Sequence, residues 1–271
     1  MAIEEYEDII YEKEENGICT ITISKPEVRN AVTYISFIEI YKVLEDMETD
    51  KNAKILIITG DPKGNAFTSG GYFKPEMFKK MRKYPEIDLM DIAQKKLTLK
   101  FWDFEKPVIM AINGMAIGGG LTMPLSCGDL IYMSEDAWFG PYFVKRGIVP
   151  EFSSCFLLPF YLGFQKAKEI VYFGNKITAQ EAYKLGIVNK VLPSDELIPF
   201  AREQALNLIP PKAPSLSIKL MKKTMHTYFR EILSKTLDLE NRALRKTFAS
   251  KDFKESMQAL KEKRDAIFIG K

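Results

Sequence analysis

The sequence predicts an α/β protein built around a parallel sheet. Two short β-rich runs, KILIITG (residues 54–60) and KPVIMAING (residues 106–114), each end in a glycine turn, as buried parallel strands often do. A helical pattern precedes the first run and another follows the second, and then comes a further strand pattern, DLIYMS. Strand, loop and helix in alternation is the rhythm of βαβ units.

Each element can be justified in order. DIIYEKE and GICTITISK alternate or bunch β-branched residues and read as strands, the second stopping at a proline. Residues 31–47 (AVTYISFIEIYKVLEDM) read as an amphipathic helix. A polar loop, DPKGNAFTSGGYF, follows KILIITG, and residues 74–104 read as helical with mixed polarity. GGGLTMPLSC opens a helix directly after KPVIMAING, and GIVPEFSSCF opens the next after DLIYMS. Past Leu192 the strand signals stop, and four stretches of helical periodicity follow, the first punctuated by Pro193, Pro210, Pro211 and Pro214. The expected organisation is a core over residues 1–192 and a helical portion over residues 193–271.

Composition narrows the function class. The 271 residues are 46% hydrophobic and 28% charged, which is ordinary for a globular protein with a substantial core. A net charge of +3 is too weak to make nucleic acid the main partner, yet it permits local basic sites for an anionic ligand. Cys19, Cys127 and Cys155 show no CxxC pairing and are expected to be buried free thiols in a reducing compartment. The single histidine, His226 in KKTMHTYF, excludes a multi-histidine metal site and reads as structural. MAIEEYEDII lacks an apolar signal region, no run approaches the ~20 apolar residues of a membrane span, and AIFIGK carries no lipidation or peroxisomal signal. A cytoplasmic enzyme or binding protein is expected.

Two loops that leave strands carry clustered glycines: FTSGGYF with Gly70 and Gly71, and NGMAIGGGLT with Gly118, Gly119 and Gly120. In open α/β sheets, ligands sit beyond the carboxyl ends of strands. Glycine leaves its N–H unobstructed, and at a helix start that N–H has no intrahelical partner and lies at the positive end of the dipole. Two such groups aimed at one point would make an oxyanion hole. Each cluster alone is equally a turn or a packing device. Neither is a P-loop, because no Gly-Lys-Ser/Thr follows, and the dinucleotide spacing is absent.

Taken in order, KPEVRNAV, NAFTSGGYF, AINGMAIGGG, DLIY and FGNKITAQEAYKLGIVNKVLP resemble the motifs of the crotonase (enoyl-CoA hydratase/isomerase) superfamily over nearly the whole chain. The resemblance implies a crotonase (ClpP-like) spiral of β-β-α units with a helical C-terminal trimerisation portion, assembling as a homotrimer or dimer of trimers. It implies an acyl-CoA thioester substrate, with coenzyme A as part of the substrate and no separate cofactor or metal. The backbone N–H groups of Gly71 and Gly119 would hold the thioester oxygen. Arg29 and Lys74 occupy places that in relatives contact CoA phosphates, a role their charge suits. Ala66, Gly70, Tyr72, Phe73, Thr122 and Phe143 would complete the substrate-binding set. Tyr72 replaces the aspartate usual in the family. Lys261, Lys263 and Arg264 could reach a phosphate in an adjacent subunit, or simply serve a helix end. PEMFKKMRKYPEIDLMDI could line an acyl pocket, though ordinary helix packing explains it as well.

The catalytic carboxylate decides the reaction. Hydratases of the family use two glutamates, whose places here are held by Thr122 and Phe143. The chain instead offers Glu151 in GIVPEFSS, which resembles the Δ3,Δ2-enoyl-CoA isomerase branch. Moving a double bond from C3 to C2 needs one group that acts as base and then as acid, and no activated water. Apolar neighbours such as Phe143 and Phe152 would raise the pKa of Glu151, whereas a helix N-terminus would lower it. Read without the resemblance, Glu151 is a first-turn acid favouring the helix dipole. The expectation is therefore an enoyl-CoA isomerase with catalytic Glu151, Gly71 and Gly119. The alternatives are a hydratase with an unrecognised second group and a non-catalytic acyl-CoA binder.

Overall fold

The computed structural model describes residues 6–72, 88 and 91–271. A six-stranded sheet, in the order β1-β2-β3-β5-β7-β10, forms the backbone of the fold. Its strands are β1 (Ile9–Lys13), β2 (Ile18–Ile23), β3 (Ile55–Gly60), β5 (Val108–Ile112), β7 (Leu130–Ser134) and β10 (Lys190–Leu192). β1 pairs antiparallel with β2, and every later pairing in this sheet is parallel. A second sheet stacks β4 (Ala66–Thr68), β6 (Met115–Ile117), β8 (Trp138–Gly140) and β9 (Ile177–Thr178), parallel apart from the last pair. The expected α/β class holds, with a short second sheet in place of a single one. β6 and β8 are three residues each, too short to register as periodic runs.

The unbroken apolar run of KILIITG has a direct physical cause. Successive residues of a strand face opposite sides, and both sides here are covered. Leu56 and Ile58 join the main core, while Ile55 and Ile57 pack under helix α7 (Leu197–Asn207) with Ile18, Ile109 and Ala201. The first helix after the last strand thus closes one face of the sheet.

Helix α1 spans Tyr34–Thr49 rather than beginning at residue 31. Thr33 caps it, its Oγ1 accepting from the Ile35 N–H while the Ser36 hydroxyl accepts from the Thr33 N–H. That reciprocal box fixes the start three residues later than apolar periodicity alone suggests. Of the 74–104 stretch, the described part holds a π-helical turn, Asp91–Lys96, that runs into α2 (Leu97–Asp103). Most of PEMFKKMRKYPEIDLMDI lies outside the described residues. The other helices are α3 (Gly119–Cys127), α4 (Ser154–Leu162), α5 (Phe164–Phe173), α6 (Ala179–Lys184), α8 (Ser215–Thr227), α9 (Arg230–Phe248) and α10 (Lys251–Glu262). Among the described residues no helix is long and apolar enough to cross a membrane.

His226 has a structural part: its ring stacks on Trp102 at 4.1 Å between centroids, and the Trp102 indole N–H donates to the His226 carbonyl. Cys19 and Cys127 are buried as expected, but Cys155 is exposed, because it lies on the outer side of α4's first turn. Lys222 of α8 anchors the C-terminal helices to the sheet. It is nearly buried, and its Nζ reaches Asp129 Oδ2 (2.7 Å) and the Lys106 carbonyl (3.1 Å). The same Asp129 oxygen accepts the Val108 N–H at the start of β5. Lys222→Met should lower stability by about 2 kcal/mol, because it strands a partly buried carboxylate. A shift of the urea midpoint at constant m-value would measure this.

Candidate active site

The register of two short strands creates the site. β4 pairs in parallel with β6, Ala66 beside Met115 and Thr68 beside Ala116. The two glycine turns leave the carboxyl ends of these strands, so they emerge side by side. Gly70 has φ +92°, and a Cβ there would stand 2.9 Å from the Ile117 carbonyl oxygen, so a side chain is excluded on both counts. The Val32 N–H donates to the Gly70 carbonyl (3.0 Å) and the Tyr72 N–H to the Val32 carbonyl (2.9 Å). Strand geometry then turns the Gly71 N–H away from Val32. Gly119 is the first residue of α3, so its N–H has no intrahelical acceptor.

Both glycines line a cavity of about 550 Å³. Its walls are largely apolar, with Phe37 from α1, Met123 from α3 and Phe143 and Phe152 near the base. Phe248 and Phe253 come from the C-terminal helices. Glu151 is half-buried and lines this cavity. A Cβ built on Gly119 would lie 3.2 Å from Glu151 Oε1, which sets the carboxyl against the turn that carries the Gly119 N–H.

Glu151 lies outside helix α4, which begins at Ser154. Phe152 and Ser153 both adopt left-handed backbone (φ +57° and +58°) and carry the chain sharply into the helix. The cap comes from elsewhere. Glu240 of α9 accepts the Ser153 N–H at Oε2 (2.7 Å) and the Cys155 N–H at Oε1 (2.8 Å). The helix's positive end is thereby neutralised by Glu240, and Glu151 gains nothing from it. Among the described residues the Glu151 carboxylate receives only a long contact, 3.4 Å, from Gln94 Nε2. Burial, with the nearby Glu240 carboxyl adding to it, pushes the Glu151 pKa up to about 8. Burial also raises Glu240, to about 7, but its backbone N–H donors pull the other way. The N–H donors therefore favour the charge on Glu240, and that charge disfavours a second one on Glu151.

Of the residues singled out from the sequence, Gly70, Gly71, Tyr72, Gly119, Phe143 and Glu151 line the cavity. Three others do not. Ala66 is fully buried within β4, its carbonyl accepting from the Asn30 side chain. Thr122 is fully buried too, and its hydroxyl turns back to the Gly118 carbonyl, since the helical period gives the cavity face to Met123. Arg29 sits exposed at the end of a tight turn with φ +55°. Phe73 and Lys74 lie outside the described residues. Arg264 pairs with Glu255 and Glu262, which ties it to its own helix end.

Three residues escaped the sequence reading: Gln94, Arg146 and Glu240. Gln94 and Arg146 line the cavity, and Gln94 has a buried Oε1 with no partner among the described residues. Glu240 did leave a signal. It interrupts the buried stripe Leu233, Leu237, Leu244 of α9 at helical spacing, where an acid must have a partner. Glu240→Gln should lower the Glu151 titration midpoint from about 8 by removing the adjacent charge. Carboxyl-resolved infrared or ¹³C NMR titration would follow it, and an unmoved midpoint would refute the coupling.

Comparison with known proteins finds relatives over nearly the whole chain. Residues 13–271 match the family model described as enoyl-CoA hydratase/isomerase. The chain is 32% identical over 266 residues to a protein of Syntrophomonas wolfei named crotonyl-CoA hydratase, covering 98% of this chain and 99% of that one. It is 28% identical to the 1,2-epoxyphenylacetyl-CoA isomerase of Escherichia coli, covering 95% and 97%. Among solved structures, an enoyl-CoA hydratase/isomerase from Pseudoalteromonas atlantica T6c superposes with a TM-score of 0.80 at 27% identity, over 97% of this chain and 100% of that one. A whole-chain match of sequence and fold places the protein: it belongs to the enoyl-CoA hydratase/isomerase family.

Proposed function

We infer that the protein is an acyl-CoA isomerase that moves a double bond from C3 to C2 of an enoyl thioester, with Glu151 as the proton carrier. One observation carries the reading: Glu151 is the only acid among the described residues that line the cavity, and it lies against the Gly119 turn. In this reading the thioester oxygen accepts the N–H groups of Gly71 and Gly119. Glu151 as carboxylate removes a proton from C2, and the electron pair moves into the carbonyl to give a dienolate. The two N–H groups stabilise the charge where it develops. Glu151, now protonated, returns the proton at C4, and the double bond comes to rest between C2 and C3. No water and no other proton donor are consumed.

The raised pKa supports the shuttle. A carboxylate whose conjugate acid titrates at about 8 is a stronger base than an ordinary glutamate, and its protonated form exists at neutral pH to give the proton back. The base must be ionised in the free enzyme, so kcat/KM should rise with pH and level off above about 8. Coenzyme A enters only as part of the substrate, and neither metal nor further cofactor takes part. A cytoplasmic trimer or dimer of trimers belongs to the same proposal. Support for assembly comes from apolar side chains left exposed on α4, α5 and α8, among them Phe160, Phe164 and Met225. Sedimentation should return three or six chains.

A second reading, enoyl-CoA hydration, draws on Gln94 and on the names of the relatives. The partnerless Oε1 of Gln94 is an acceptor for a water whose proton Glu151 would take. A panel of 3-enoyl and 2-enoyl esters scored for both isomerisation and loss of enoyl absorbance separates the two. Glu151→Gln should reduce isomerisation at least ~1,000-fold while leaving acyl-CoA affinity nearly intact. Turnover unchanged in that variant would sink the assignment. Tight ester binding without C2 proton exchange in deuterated water would instead indicate a binding protein.

A further inference from the structure

Among the described residues, two charged side chains line the cavity, Glu151 and Arg146, and they do not pair with each other. The charge that acts on Glu151 is Glu240, and nothing offsets the burial that pushes the Arg146 guanidinium below its ordinary range. Arg146, Arg29 and Arg242 meet no carboxylate among the described residues, and of these three only Arg146 lines the cavity. The closest acid along α10 is already committed: Asp252, packed against Gly147, accepts the N–H groups of Ile269 and Gly270.

The position of Arg146 is fixed rather than incidental. Its N–H donates to the Phe143 carbonyl and its carbonyl accepts the Ser256 hydroxyl, so a short turn (Val144–Arg146) is clamped between the cavity floor and α10. Around it the cavity is apolar, with Phe143, Ile148, Phe253, Met257 and Leu260 nearby in the lining. A half-buried guanidinium among such groups has lost hydration that an anion would restore, and its planar fork suits a carboxylate or phosphate. The cavity therefore has two poles, a proton carrier beside the glycine turns and an unpaired cation beside α10.

Building on the acyl-CoA reading, we propose that Arg146 is an anion-recognition residue of this cavity, binding either a carboxylate on the acyl chain or a phosphate of coenzyme A. The chemistry recognised is the same; the ligand's source of the anion differs. A neutral, methyl-ended acyl pantetheine would leave Arg146 unpaired.

Calorimetric titration of the full-length protein tests this with matched esters: butyryl-, hexanoyl- and octanoyl-CoA against succinyl-, adipoyl- and suberoyl-CoA, with hexanoyl-pantetheine as the phosphate-free probe. If the acyl chain supplies the anion, at least one carboxyl-ended ester binds about tenfold tighter than its methyl-ended twin, and Arg146→Met erases the difference. If coenzyme A supplies it, Arg146→Met weakens every CoA ester about tenfold and leaves hexanoyl-pantetheine unchanged. Arg146→Lys, which keeps the charge, should retain part of the affinity in either case, and thermal melting confirms that both variants are folded. Affinities of a folded Arg146→Met within about twofold of wild type for all probes would overturn the proposal and leave the acyl-CoA reading standing. Wild-type protein that binds none of the esters would overturn both.

Discussion

Two hydrogen bonds to Glu240 hold the site together. Its carboxylate takes the N–H groups of Ser153 and Cys155, which caps α4 from a helix more than eighty residues away in sequence. Phe152 and Ser153 occupy left-handed backbone that side-chain-bearing residues seldom adopt, so their conformation needs support from outside. Glu240 supplies it, and the position of Glu151 follows from the turn so fixed. The same carboxylate absorbs the positive end of the helix. An acid next to a helix start would ordinarily have its proton loosened by that field; at Glu151 burial, with the Glu240 charge adding to it, holds the proton instead.

The alternation of sequence patterns made the α/β class and most long elements legible, and the reasons are local. Ile55–Gly60 and Val108–Ile112 are buried on both faces, so their composition alone marks them as strands. The two glycine turns were legible as well, as clustered glycines directly after strand patterns, and at Gly70 a side chain would collide with the Ile117 carbonyl. What bounds failed on was capping: α1 starts where Thr33 and Ser36 exchange hydrogen bonds, a detail of side-chain geometry. β6 and β8 were invisible because three residues hold too little of a period.

At the site, the residues that lie on the glycine turns and the Glu151 loop were readable, because their chemistry is carried by their own backbone or carboxyl. Gln94 and Glu240 act on neighbours distant in sequence, so Gln94 left no pattern and Glu240 left only its place in the buried stripe of α9; Arg146 sits in a short turn that no periodicity marks. Thr122 shows the opposite failure: a family position was expected in the pocket, but the turn of α3 directs it into the core and gives its place to Met123. The question of which influence governs Glu151, burial or helix field, could be posed from sequence. Its answer depended on a carboxylate from α9 that no local pattern places there.

The C-terminal helices supply the α4 cap through Glu240 and part of the cavity wall through Phe248 and Phe253. This has a consequence for biosynthesis. All strands and both glycine turns are encoded before Pro193, but the α7 cover of the sheet and the Glu240 clamp on the Glu151 turn come later in the chain. Without α9 and α10 the cavity has neither its Phe248 and Phe253 wall nor the cap on the turn that follows Glu151. The pocket is thus completed last, and by the end of the chain that lies farthest in sequence from the glycine turns.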